Sequence, residues 1–236
     1  MLRHWIPKDK LNHNALCSNQ NPQVINLLKE LPKKEINWYL LSLNPVAIEF
    51  LEENPDDIYW TWFSANPNAI QILEQNPNKI DYEWLSLNPK AIHLIEKNLE
   101  KNPEKIDWIL LSKNQNAIHI LEKNLDKVDW VLLSQNPNAI QILERNPEKI
   151  NWLNLSKNPN AIPLLEQNPE KINWLNLSKN PNAVHLLEQN PEKINWDYLS
   201  KNPNAIHLLQ QNIEKINWYY FSINPSIFED EINTCK

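Results

Sequence analysis

Asn146–Gln167 reads NPEKINWLNLSKNPNAIPLLEQ and Asn168–Gln189 reads NPEKINWLNLSKNPNAVHLLEQ, two differences in 22 residues. A chain that repeats at a short fixed period must fold each unit alike and bury it against its neighbours. The unit recurs with drift along nearly the whole sequence. An aromatic marks its centre at Trp38, Trp60, Tyr82, Trp108, Trp130, Trp152, Trp174, Trp196 and Trp218. An Asn-Pro step marks its second half at Pro22, Pro45, Pro67, Pro89, Pro137, Pro159, Pro181, Pro203 and Pro225, with Gln115 once in proline's place. The spacing is 22 except for 23 at the first step and 26 at the fourth. Four of the extra residues fall in Lys97–Lys105, KNLEKNPEK, as an insertion near 98–101 that would suit a hinge or a docking bulge. The fifth lies near Leu31-Pro32.

Two short helices per unit follow from the residue types. Proline suits a first helical turn, which has no use for its missing N–H, and asparagine before it is a good N-cap. After Asn202-Pro203 the apolar residues Ala205, Ile206, Leu208 and Leu209 lie on one face of a helix of about two and a half turns. The second helix carries Trp196 and Leu199. It could start at Pro191 or after Asn195; we favour the later start, because eight of the nine residues before the aromatic are Asn or Asp and only Tyr59 is not. Ser200 and its equivalents end this helix in every unit, as a small residue before a tight corner would.

Helices this short are marginal alone, so the units must stack. The expected fold is all-α: a right-handed α-solenoid of about nine two-helix repeats over residues 21–222, with atypical caps at 1–20 and 223–236 and the whole chain as one domain. At about 8–10 Å per packed layer the stack would be a rod or arc on the order of 80–90 Å long. The alternative is a leucine-rich repeat, since Ile172–Asn180 fits LxxLxLxxN. Against it, the position of Leu175 is Thr61, Glu83 and Asp197 in other units.

Composition then removes function classes. The chain has no glycine, where about 7% is usual, so no glycine-rich phosphate loop can be written. Its 38 asparagines and 18 prolines take over the turn positions. No apolar run reaches 18 residues, so no membrane partner is expected, and the start MLRHWIPKDK has no secretory apolar core. Two cysteines, Cys17 and Cys235, without a framework suit a reducing, intracellular setting. Asn154-Leu155-Ser156 and Asn176-Leu177-Ser178 match the glycosylation sequon and are read as accidental. The net charge of −6 lacks the basic footprint of a nucleic-acid binder, so a nucleic-acid partner is disfavoured.

The unit NPEKINWxxLSKNPNAIxLLEQ, from about Asn21 to Asn224, resembles short Asn-Pro-rich repeats in proteins of mimivirus-like giant DNA viruses. That resemblance implies a viral protein acting in the host cytoplasm or the virion. It brings no activity and no functional residue. Gln115, Leu125 and Ile213 depart from its proline positions, and Pro163 sits inside a helix.

No catalytic constellation is apparent, and no enzyme, cofactor or metal is expected. His93, His119, His185 and His207 share one slot, at a spacing too long for a shared zinc. A column of glutamates (Glu74 to Glu188) and one of lysines (Lys79 to Lys193) mark either a docking rail or a solvated edge with weak ion pairs. Two positions vary within the fixed frame: one and two residues after the aromatic. Trp62, Trp84, Tyr198 and Tyr220, at the second, are the best candidates for contact with a protein partner, with the four histidines beside them. The expected function is a non-enzymatic scaffold for protein–protein interaction; the alternative is a single-stranded nucleic-acid binder reading one residue per repeat.

Overall fold

The computed structural model describes residues 1–229. Among them short helices and turns follow one another in tandem, with no strand; the single β-type pairing joins Leu2 to Phe228. The leucine-rich alternative fails here, because Trp174–Leu177, which would have to be its strand, is helical.

Asn195 caps the helix Trp196–Leu199 by accepting the Tyr198 N–H at 2.9 Å, and the preceding Pro191–Lys193 is a separate 3-10 turn. The aromatic helix thus starts after the Asn/Asp position. Tyr59, the one residue without an acceptor there, makes no capping bond. The Asn-Pro helix differs from the expected uninterrupted form. Pro203–Ala205 is a 3-10 turn, and the α-helix proper runs Ile206–Gln211. Asn202 accepts the Asn204 N–H at 3.0 Å, only two residues on, which tightens the first turn. Pro163 falls in the first turn of Ile162–Glu166, where its missing N–H costs nothing. The tract at 97–105 lengthens the Asn-Pro helix to Ile92–Lys101, followed by the turn Pro103–Lys105.

Leu199, Ala205 and Leu209 are fully buried, as are their counterparts along the chain. Between these apolar layers run two sets of buried polar contacts. Ser200 Oγ donates to Trp196 O at 2.8 Å and accepts the Asn217 N–H of the next unit at 3.1 Å. Asn202 Nδ2 donates to Ser178 O at 3.1 Å and Asn180 O at 2.9 Å of the preceding unit. Asn44, Asn66, Asn88, Asn114, Asn136, Asn158, Asn180 and Asn224 each repeat this double bond. Serine and asparagine are therefore the inter-unit connectors, beyond the corner and cap roles expected of them. Their satisfaction matters, since a buried polar group without a partner is costly.

The same contacts join the two ends of the chain. Asn19 Nδ2 donates to Ser222 O and Asn224 O, both at 2.9 Å, and Ser222 Oγ accepts the Asn12 N–H at 2.8 Å. Asn21 Nδ2 reaches Pro225 O at 3.1 Å, as Asn204 Nδ2 reaches Pro181 O at 2.9 Å. Arg3 N–H meets Ile227 O at 3.0 Å, and Trp5 lies 5.7 Å from Phe221 between ring centroids. The stack closes on itself. In place of the expected rod or open arc there is a closed ring, because a small rotation at every layer accumulates along a solenoid.

The expected N-terminal cap is also wrong. Within Met1–Gln20, Asn12 caps the helix His13–Leu16, and Cys17 occupies the serine position with Sγ 3.5 Å from His13 O. Asn19 occupies the ring-asparagine position. Residues 1–20 thus belong to a unit disguised by His13 in place of an aromatic and Gln20 in place of proline, and the boundary at 21 cuts through it. Burial, the main cause, raises the Cys17 thiol pKa. At the other end Ile227 and Phe228 are buried against the first unit in place of a polar outer face. Asp230, Glu231, Cys235 and the rest of 230–236 lie outside the described residues.

Candidate functional site

A closed ring has an outer wall, an inner wall and two faces, and the repeat assigns each slot to one of them. The histidine slot faces solvent. His93, His119, His185 and His207 are each about half exposed, and Nε2 of each meets a glutamate Oε1 of the preceding unit: Glu74 at 2.9 Å, Glu96 at 2.9 Å, Glu166 at 3.2 Å and Glu188 at 2.8 Å. Four glutamates of the column thus pair with histidines, and Glu122 with Arg145 at 3.7 Å, not with the lysine column. The lysines instead cover the aromatics of the unit before. Lys193 Nζ stands 4.4 Å from the Trp174 ring centroid, Lys171 4.5 Å from Trp152, and Lys127 4.7 Å from Trp108. Among the described residues no three His, Cys, Asp or Glu side chains converge as metal ligands would.

The four aromatic candidates fall into two pairs. Trp62 and Trp84 have ring centroids 4.2 Å apart, with Tyr39 5.1 Å from Trp62. Tyr198 and Tyr220 are 6.1 Å apart. All four are half-buried, so they partly fill the gap between units, and the equivalent Asn154 and Asn176 are buried outright. The slot one residue earlier is more accessible. Ile109, Val131, Leu153 and Leu175 come from four consecutive units and are 54%, 46%, 50% and 46% exposed. They form an unbroken aliphatic row on one arc of the ring.

A further set was not singled out from the sequence. The residue between the buried serine and the buried asparagine is lysine in four units: Lys113, Lys157, Lys179 and Lys201. Lys179 Nζ lies 5.0 Å from the Tyr198 ring and Lys201 Nζ 4.1 Å from the Tyr220 ring, while Lys157 Nζ donates to Asn154 Oδ1 at 2.8 Å. Lys113 stands three units from Lys179 yet still repels it. In a closed stack neighbouring units lie closest on the inner side, and the asparagine bonds that tie unit to unit lie directly beside this slot, so it faces inward. The recurring SKN triplet was the available signal, but an open rod has no inside to which it could point.

Burial, and then repulsion from Lys157, Lys201 and Lys113, pulls the Lys179 pKa down to about 8. Burial also lowers Lys157 and Lys201. A lysine lowered in the fold binds fewer protons there than in the unfolded chain between about pH 8 and its ordinary value of 10.5. Stability therefore rises as pH climbs through that window. Lys179→Met is expected to stabilise at pH 7 by about 1 kcal/mol, discounted for solvent screening, with the gain vanishing above about pH 10.5. Urea unfolding of both proteins at pH 7 and pH 10.5 checks this, and a gain independent of pH would refute it.

No protein-family model matches the chain, and neither a curated protein nor a solved structure was found to match it.

Proposed function

We propose that this chain is a non-enzymatic ring scaffold that binds a protein partner, a closed right-handed solenoid with ten asparagine junctions around it. The observation carrying this reading is the row Ile109, Val131, Leu153 and Leu175. Four large apolar side chains about half exposed on adjacent units form a patch of the kind that marks protein contact sites. Isolated exposed leucines need no explanation; an aligned series does. Tyr39 and Tyr219 hold the same slot elsewhere, at 38% and 45% exposure, so the binding face extends beyond one arc, with Trp62, Trp84, Tyr198 and Tyr220 supporting it from beneath. The resemblance of the repeat to those of giant-virus proteins places the protein, in this proposal, in the host cytoplasm or the virion.

The single-stranded nucleic-acid reading is less well supported, because the inward positive charge occupies four of the ring's slots and does not recur in each unit. Crosslinked capture from infected cells tests the scaffold reading. Leu153→Glu/Leu175→Glu should abolish capture of whatever the wild type retains, at little cost in stability for exposed positions. His207→Ala, in the solvent-facing histidine slot, should leave it intact. Capture unaffected by the double change would overturn the proposal, and a gel shift with mixed single-stranded RNA at low salt would favour the alternative.

A further inference from the structure

The inner wall carries a second site, independent of the docking row. Lys157, Lys179 and Lys201 come from three consecutive units and share one slot. The backbone beneath them is pinned: Asn180 Nδ2 and Asn202 Nδ2 each bridge to the preceding unit's asparagine carbonyl at 2.9 Å. The Lys179 and Lys201 ammonium groups stand over Tyr198 and Tyr220, whose rings lie 6.1 Å apart, and that of Lys157 donates to Asn154 Oδ1 at 2.8 Å. Lys113, two units before Lys157 in the same slot, adds to the repulsion on Lys157 and Lys179. Among the described residues none of the four has a carboxylate within ion-pair distance; the ion pairs of this acidic chain lie on other slots. Three partly desolvated ammonium groups on consecutive units, held without a counter-charge and repelled further by exposed Lys113, destabilise the fold. At neutral pH a bound anion would relieve this repulsion.

We propose that the inside of the ring binds a small multivalent phosphate-type anion, held by Lys157, Lys179 and Lys201 with Lys113 two units further along the same arc. A monovalent ion can answer one ammonium. A chain of phosphoryl groups presents many acceptor oxygens, and lysine serves as a point-charge donor to phosphate. Lys157, Lys179 and Lys201 are consecutive, with Gln135 between them and Lys113, while Ser18, Leu43, Ala65, Leu87 and Ile223 hold the same slot elsewhere. A compact ligand seated against that arc meets only its charged part, whereas a nucleic-acid strand through the ring would run along the apolar part.

Titration of the intact protein with inorganic tripolyphosphate at constant ionic strength tests this. We expect saturable binding in calorimetry and, at a hundredfold excess over Kd, a rise in Tm of about 5 °C or more. Lys179→Met/Lys201→Met should weaken binding at least tenfold. Lys171→Met/Lys193→Met, which removes two outer lysines, should leave it unchanged. Absence of binding to the wild type overturns the proposal without recourse to any variant. So does binding that survives the inner double change, or binding lost equally from the outer one. Neither result bears on the aliphatic docking row.

Discussion

Asn180→Ala should destabilise the protein by about 2–4 kcal/mol, far more than an ordinary polar substitution. The side chain is fully buried. Its Nδ2 donates to Ser156 O and Asn158 O, and its Oδ1 accepts the Asn182 N–H at 3.0 Å. Alanine strands all three groups at once. The loss is tempered because Asn158 O keeps the Ala161 N–H at 3.2 Å. Asn204→Ala is the control. Its Nδ2 bond to Pro181 O is exposed, water can replace it, and the cost should stay below about 1 kcal/mol. Urea denaturation of the two variants decides the matter; equal costs would mean that the buried asparagines do not bind the units together.

Deleting Met1–Gln20 should have the largest effect of any single change. In an open solenoid this would remove one terminal layer and one interface. Here it removes a layer that contacts the units on both sides. Ile6, Leu11 and Leu16 are 5%, 6% and 3% exposed. At about 1.5–3 kcal/mol each, their burial alone contributes on the order of 5–9 kcal/mol. The Asn19 and Asn12 bonds to the last unit go with them. The truncated protein should unfold at much lower urea and show a larger radius of gyration in solution scattering. A truncation as compact and as stable as the whole chain would refute closure.

Much of this fold was legible from residue types, and what was missed has a physical reason. Capping chemistry is local, so Asn195 and Asp107 declared their helix starts, and Tyr59 declared an exception that the structure repeats. The apolar spacing around Leu208 and Leu209 placed the core correctly. Ser200 was underread because a hydroxyl that bonds within its own helix and also to the next unit looks, in one dimension, like any small residue. The first unit was missed because its markers are replaced at both positions that define the frame. Closure could not be read at all: it depends on the sum of many small rotations, none written in any one residue. Without closure there is no inner wall, so Lys179 and Lys201 drew no attention while Trp62 and Tyr198 did. The favoured aromatics proved to be half packed, and the slot beside them, with Leu153 and Leu175, proved the more accessible.

That first and last units meet as any two neighbours do has a consequence for how such a chain can change. An open row of modules tolerates the gain or loss of a member, since only its length alters. A closed circle has no vacancy for an extra member; admitting one would flatten the curvature everywhere or leave a gap. The near-twins at Asn146–Gln189 show that copying does occur in this chain. Geometry, more than any side chain, then limits which copies persist.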